Sequence, residues 1–309
     1  MRLDRIIFAS DLHSNYIQFW PITSRIWRYV TGARPTLFFV APIGTPIDQV
    51  EGCDVIHVPP FPDLPTCFIA QTIRLLAPSW FPNEVCAIAD IDLFMINRTF
   101  FPTHLQQHAS DKLVILNRYP AEDVARPSLC YHVSSGKVFA ELFQVKPGPK
   151  DMQTEIFPIL QQWYQTKKGQ WATDEMIMHE KVGVFKKNHP QQVVEFFTPN
   201  LWKKPTRSVS HYAGFKVNTS KLRDYVEVEP PYPYEMNKSV IHQVVRMFLP
   251  GINLDEIRVL QKGVQKQNRH PHKSVNGQAR VLNVTASSES RLRRLSSLRR
   301  LRTLRRTHH

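Results

Sequence analysis

Asp90 and Asp92 stand one residue apart inside an otherwise apolar stretch of the chain. The apolar run 85–89 precedes them and the run 93–96 follows, and an acid is costly in such surroundings unless a counter-ion accompanies it. Carboxylate oxygens suit hard divalent cations such as Mn²⁺ and Mg²⁺, and such a cation can neutralise the charge that develops on a departing phosphate. The pair therefore predicts a metal site just past a buried strand. Two solvated acids at the start of a loop are the simpler alternative.

The elements that must position these acids follow from the hydrophobic pattern. Short apolar runs predict strands at residues 6–9, 36–40, 54–58, 85–89, 113–116, 137–143 and 193–197. Helical spacing predicts helices at residues 16–29, 67–76, 152–165, 175–180 and 238–248. This alternation is typical of an α/β protein with a mostly parallel sheet covered on both faces. Ligands of such folds bind beyond the carboxyl ends of the strands, so we expect Asp11 and Asp90, which both follow strand ends, at one edge of the sheet.

The residues before the aspartate pair resemble a motif of the GT-A glycosyltransferases. In that family a helix with a basic residue precedes the strand that delivers a D-x-D motif. Here Gln71 and Arg74 lie on a predicted helix, and the next predicted strand leads to Asp90 and Asp92. The opening segment, residues 10–16, is similar to that of small glycosyltransferases from large DNA viruses of green algae.

Later segments resemble the same family in the same order, so that the resemblance covers roughly residues 4 to 216. Ser135 and Gly136 are similar to the family's small-residue segment near the donor sugar. Asp174 and Glu175 are similar to its acidic motif at the start of a helix. His211 is similar to its C-terminal metal-binding histidine.

The resemblance implies a hexosyltransferase with a GT-A (Rossmann-like) fold: a mixed, mostly parallel sheet flanked by helices. It implies that a hexose or deoxyhexose moves from a UDP- or dTDP-sugar to a glycan hydroxyl, with Mn²⁺ or Mg²⁺ as cofactor. A general base at Asp174 favours inversion, and without such a base retention is expected. The implied metal ligands are Asp90, Asp92 and His211. The implied donor-binding residues are Ser10, Asp11, Gln71, Arg74, Asp90, Ser135 and Gly136. The implied catalytic residues are Asp174 and Glu175.

Individual roles have structural alternatives. Asp174 could be the general base that deprotonates the acceptor, or simply an acid favoured at a helix N-terminus. His211 could bind the metal or be structural. Arg74 could pair with the diphosphate or be an exposed helix residue. Asp11 could hold the base or ribose of the nucleotide.

Two other classes of function compete with this interpretation. Asp11 and His13, two residues apart after a strand, also resemble the first motif of the calcineurin-like metallophosphoesterases. That family needs further motifs, Gly-Asp, Gly-Asn-His and Gly-His-x-His, which the sequence lacks. A non-catalytic binding protein that acts through a basic tail is the third class.

The net charge of +14 is concentrated in the last part of the chain. Residues 261–309 carry thirteen Lys or Arg and one acid, a charge of +12, which leaves +2 for residues 1–260. We therefore predict a catalytic domain over residues 1–220, a linker and helical extension over 221–262, and a disordered basic tail over 263–309. The tail could be solvated or could bind an anionic membrane or nucleic acid weakly.

The location of the protein is predicted from two absences in the sequence. The N-terminus lacks the long apolar stretch of a signal peptide, and no segment has the apolar length of a transmembrane helix. The four cysteines lie in or beside apolar runs, which favours buried free thiols in a reducing compartment. We expect a cytoplasmic protein, in the host cytoplasm if it is viral.

Overall fold

The structure is a computed structural model that describes residues 1–117, 129–167, 169–197 and 225–254. All of these residues belong to one compact unit, Met1–Gln261. His211 and the tail at residues 263–309 lie outside the described residues, so their expected roles stay predictions, as do the predicted domain boundaries.

A seven-stranded mixed sheet forms the centre of the described chain, with the strand order β3-β2-β1-β4-β7-β6-β8. Its strands are β1 (Arg5–Asp11), β2 (Arg34–Val40), β3 (Asp54–Val58), β4 (Val85–Ile88), β6 (Leu113–Asn117), β7 (His132–Ser135) and β8 (Val193–Phe197). Strand β7 is antiparallel to both of its neighbours, and the other pairs in the sheet are parallel. A separate two-stranded sheet pairs β5 (Phe94–Met95) with β9 (Glu227–Val228). The predicted mixed, mostly parallel sheet is therefore confirmed.

Helices cover both faces of this sheet. They are α1 (Ser14–Ile17), α2 (Trp20–Thr31), α3 (Thr66–Leu76), α4 (Phe100–Leu105), α5 (Gly136–Phe143), α6 (Phe157–Lys167), α7 (Thr173–Asn188) and α8 (Tyr234–Phe248). Alternate residues of β1 pack into two separate hydrophobic cores, because successive side chains of a strand point to opposite faces of the sheet. Ile6 and Phe8 pack with α2, α4 and α8, whereas Ile7 packs with α3, α5, α6 and α7.

One predicted element has the wrong type, because residues 137–143 form helix α5 where a strand was expected. Ser135 caps this helix, since its hydroxyl accepts a hydrogen bond from the backbone N–H of Val138. Val138, Phe139, Leu142 and Phe143 are buried at helical spacing. The apolar run was too short to separate helix from strand by composition, and the serine cap was the signal that was overlooked.

Several other elements differ in their boundaries, among them α7, which extends to Asn188 beyond the predicted residues 175–180. The predicted helix at residues 16–29 is divided into α1 and α2. Tyr234, which was assigned to a linker, is fully buried at the start of α8. Cys67 is exposed rather than buried, although the cysteines of the described chain are all free thiols. Within the described residues, no helix has both the length and the apolar character to cross a membrane.

Candidate active site

Asp90 and Asp92 lie in a tight turn directly after β4. The N–H of Leu93 donates to the carbonyl of Asp90 at 3.2 Å, so the two acids occupy the first and third positions of the turn. Helix α2 fixes this backbone from the side: Thr23 Oγ1 donates to the carbonyl of Ile91 at 2.6 Å, and the indole of Trp27 donates to that of Leu93 at 2.8 Å. The strand thus breaks where the sequence predicted, and both carboxylates are carried by a rigid turn.

Arg74 connects this turn to the start of α7. Its Nη1 donates to Asp90 Oδ1, and its Nη2 lies 2.5 Å from Asp174 Oδ2. The Asp174 side chain is 2% exposed and that of Asp90 is 34% exposed. The nearby carboxylates of Asp90 and Asp174 raise the pKa of the guanidinium against the opposing effect of its burial, so Arg74 is a permanent cation. The structure therefore joins three residues that the sequence had assigned separately to metal, donor and acceptor.

Both carboxylate oxygens of Asp174 accept hydrogen bonds from protein groups. Oδ2 accepts from Arg74, and Oδ1 accepts from the N–H of Glu175 at 2.9 Å. Burial raises the pKa of Asp174, the charge of Asp90 adds to this, and Arg74 acts in the opposite direction. In this geometry an acceptor hydroxyl cannot reach Asp174 unless the side chain moves, whereas the neighbouring Glu175 is only half-buried. Of the two predicted catalytic acids, Asp174 is thus enclosed and held by protein groups while Glu175 is more exposed, and the catalytic role of each stays a prediction.

Two uncharged side chains, Cys130 and Tyr131, lie near Asp90. Burial, with a smaller contribution from the charge of Asp90, raises the pKa of the Cys130 thiol well above its usual range. Burial and the nearby Glu227 do the same for the Tyr131 phenol, which donates a hydrogen bond to Glu227. Cys130 and Tyr131 are therefore protonated at neutral pH. Neither was recognised from the sequence, because neither belongs to a motif.

Ser10 and Asp11 lie at the carboxyl edge as predicted, but they hold the local chain together. Ser10 is buried, and its hydroxyl donates to the carbonyl of Asp11 at 3.0 Å. Asp11 accepts from the N–H of His13 at 3.0 Å and from Thr66 Oγ1 at 2.9 Å, which fastens β1 to the start of α3. Their predicted contact with the nucleotide stays a prediction.

The same contacts disfavour the phosphoesterase alternative. The ring of His13 accepts a hydrogen bond from the N–H of Asn15 and so caps α1. Both oxygens of Asp11 are engaged by protein groups. No group of three or more His, Cys, Asp or Glu side chains suited to a metal ion occurs within the described part of the chain. A two-metal centre built on Asp11 and His13 is therefore not assembled from these residues.

Gln71 contacts Trp171, and its predicted contact with the donor stays a prediction. Its side-chain amide donates to the backbone carbonyl of Trp171, a hundred residues away in sequence. Arg74 Nε donates to the carbonyl of Gln71 at 3.2 Å. The two residues of α3 thus hold both ends of the segment that opens α7, with Gln71 at Trp171 and Arg74 at Asp174.

Ser135 and Gly136 lie at the opposite edge of the sheet, so the structure does not bring them together with Asp90. Because β7 is antiparallel to β4, Ser135 pairs with Val85, at the start of β4. Asp90 lies five positions after Val85, which is about 16 Å at the rise of an extended chain. Gly136 packs tightly, since a Cβ there would stand 2.3 Å from the carbonyl oxygen of Phe81. These residues cap and pack α5, and their predicted role at the donor has no support from this geometry.

The fold and the site define an α/β protein with an acidic, arginine-bridged site beyond β4. No protein-family model and no curated protein sequence matches the chain. Among solved structures, the galactosyltransferase LgtC in complex with donor and acceptor sugar analogues is similar, with 12% identity and a TM-score of 0.43 over 77% of this chain and 95% of that chain.

Two further solved structures are similar at the same level. An active-site mutant of LgtC has 13% identity and a TM-score of 0.42, over 79% of this chain and 100% of that one. A glycosyltransferase involved in the glycosylation of the major capsid of PBCV-1 has 9% identity and a TM-score of 0.40, over 79% of this chain and 98% of that one.

Proposed function

We propose that this chain is a metal-dependent glycosyltransferase that moves a hexose or deoxyhexose from a UDP- or dTDP-sugar to a glycan hydroxyl, with inversion. The observation that carries the proposal is the link Asp90–Arg74–Asp174 beside the turn of Asp90 and Asp92. It places a carboxylate pair and a guanidinium together beyond a carboxyl strand end, where α/β folds bind their ligands. The order of motifs along the sequence supports the same class.

The aspartate pair suits a hard divalent cation. Mg²⁺ is usually held by one or two protein carboxylates together with substrate phosphates, so Asp90 and Asp92 meet this need without a further protein ligand. His211 is a proposed additional ligand and lies outside the described residues. When bound, Mn²⁺ or Mg²⁺ would supply positive charge against the diphosphate leaving group.

Arg74 is the proposed second site of diphosphate recognition. Its planar guanidinium can bind phosphate oxygens in a fork, which a lysine ammonium cannot reproduce. Asp174 holds Arg74 from the buried side, since its own side chain is almost fully enclosed. Asp90, the more exposed partner, is the contact that Arg74 can exchange for phosphate when a donor binds.

Glu175 is the proposed general base. In an inverting transfer the acceptor hydroxyl loses its proton to the carboxylate, its oxygen bonds to the anomeric carbon, and the bond from that carbon to the phosphate oxygen breaks. The electron pair of the broken bond leaves with the nucleoside diphosphate. A base must come within about 2.6–3.2 Å of the hydroxyl, which the half-buried Glu175 allows more readily than the enclosed Asp174.

Calorimetric titration of UDP and dTDP with and without Mn²⁺ tests this function. We expect one nucleotide to bind only with the metal, and Asp92→Asn to abolish that binding because the amide removes a ligand charge while nearly keeping the shape. Asp63→Asn is the matched control, since Asp63 is an exposed acid in the loop before α3. Release of free sugar from the UDP- or dTDP-sugar in the presence of Mn²⁺ should follow the same pattern. Metal-dependent affinity that is unchanged in Asp92→Asn would remove the proposed site.

A further inference from the structure

Trp171 is a large apolar side chain in an unusual position. It is 75% exposed, yet the three residues that follow it, Ala172, Thr173 and Asp174, are buried. Within residues 1–117, 129–167, 169–197 and 225–254, no ring or cation stacks on its indole. A tryptophan held open to solvent beside a candidate active site is a surface suited to a ligand, because it offers a broad, rigid apolar face.

The backbone that carries this indole is fixed from two directions. The N–H and the hydroxyl of Thr173 both donate to the carbonyl of Gln170, at 3.1 and 2.6 Å, which closes a tight turn with Trp171 at its corner. The amide of Gln71 holds the carbonyl of Trp171 from α3. The indole therefore projects from a turn that hydrogen bonds already hold in place. The turn loses little conformational entropy when a ligand binds to the indole.

We propose that Trp171 is the stacking platform for the acceptor, and that the acceptor presents a pyranose ring there. This inference rests on the proposed function, because the acceptor hydroxyl must approach Glu175. Trp171 lies two residues before α7 and Glu175 is the third residue of that helix, so their Cα atoms are at most about 14 Å apart. A sugar whose hydroxyl contacts Glu175 is thus within reach of the indole.

The chemistry of the two side chains selects this class of acceptor. One face of many pyranose rings is a patch of C–H groups that packs on an aromatic plane, while the hydroxyls around the edge remain available for hydrogen bonds. A carboxylate next to an aromatic face matches this combination of apolar face and polar rim. Gln71 is then a positioning residue, because it acts on the ligand through the backbone of Trp171.

Saturation-transfer NMR with a panel of methyl hexopyranosides and methyl 6-deoxyhexopyranosides tests the proposal, in the presence of Mn²⁺ and UDP or dTDP and also without them. We expect at least one glycoside to receive saturation at its ring C–H protons. Trp171→Ala should lower its affinity about tenfold, as truncation of an aromatic anchor does. Trp171→Phe should restore part of the affinity. Val184→Ala is the matched control, because Val184 is an exposed apolar residue on helix α7, which follows the turn of Trp171.

Each outcome separates this inference from the proposed function. Unchanged glycoside affinity in Trp171→Ala, or no binding of the panel to the wild type, overturns the Trp171 platform even when metal-dependent nucleotide binding is present. Trp171-dependent glycoside binding without any metal-dependent nucleotide binding would leave Trp171 as a sugar platform and overturn the transferase. Equal losses in Trp171→Ala and Val184→Ala would indicate a general effect on α7 and would also overturn the platform.

Discussion

Replacement of Arg74 by methionine tests whether this residue holds the site together. Methionine keeps the length and apolar stem of the side chain but removes the charge and the donors. The contact with Asp90 contributes little to the loss, because the Asp90 side chain is 34% exposed and solvent screens its charge. The contact with Asp174 matters more, because that carboxylate is 2% exposed and would be left buried without its cation.

The loss of stability in Arg74→Met has an upper limit. Loss of one partner of a buried ion pair costs about 3–5 kcal/mol. Asp174 can escape this cost by binding a proton, which for an ordinary carboxyl pKa of about 3.9 costs about 4 kcal/mol at pH 7 and about 1.5 kcal/mol at pH 5. We therefore expect Arg74→Met to lose about 3–4 kcal/mol at pH 7, a fall in Tm of about 6–16 °C, and much less at pH 5.

The sign of the pH dependence follows from linkage. Without Arg74 the folded-state pKa of Asp174 lies further above its unfolded value, so the folded state takes up a proton that the unfolded state lacks. The loss of stability from burying the Asp174 carboxylate is greatest above the pKa of Asp174 in the folded state. It disappears as the pH falls towards the pKa of Asp174 in the unfolded state. Asp174→Asn in the Arg74→Met background removes the buried charge, and this double variant should recover about 2 kcal/mol at pH 7.

Denaturant unfolding of the wild type, the two single variants and the double variant at pH 7 and pH 5 provides the measurement. A loss below about 1 kcal/mol for Arg74→Met, or a loss of equal size at both pH values, would refute the assignment of Arg74 as the counter-ion of a buried, ionised Asp174.

Two further predictions concern the base and a buried histidine. Glu175→Gln should lower transfer turnover by about 10²–10⁴-fold with nucleotide binding intact, whereas Asp174→Asn should mainly lower stability; the reverse pattern in kinetics and Tm would restore Asp174 as the base. Burial lowers the pKa of His132 to about 4. As the pH falls below about 6.5, the unfolded state therefore binds a proton at this histidine and the folded state does not. This difference lowers the free energy of unfolding by up to about 3 kcal/mol at pH 4. His132→Asn should flatten this part of the stability profile, and an unchanged slope in denaturant titrations would contradict it.

Much of the sheet could be predicted because its central strands are buried on both faces. The runs at residues 36–40 and 85–89 were located from their apolar composition, and β2 and β4 lie there. Composition alone could not separate helix from strand at residues 137–143, where the cap at Ser135 decided the outcome. Local patterns thus locate burial and element ends more reliably than element type in short runs.

The site was only partly predictable for a related reason. Asp90 and Asp92 could be recognised because two acids in an apolar run are costly without a purpose, and the turn that carries them is local. The hydrogen bond between Asp174 and Arg74 could not be predicted, because the two residues are a hundred positions apart in the chain. The exposure of Trp171 was also hidden, since a tryptophan in a sequence is ordinarily expected to be buried.

What the sequence determined by itself is the material of the site: an acidic pair past a buried strand, a basic residue on the preceding helix, and an acidic pair at the start of a later helix. What only the tertiary structure decided is which of these meet. Strand direction is the clearest case, because the antiparallel course of β7 carries Ser135 to the edge opposite Asp90. Composition and periodicity specify that a segment is buried, but strand pairing depends on contacts between distant segments, and these determine which chain ends face the ligand.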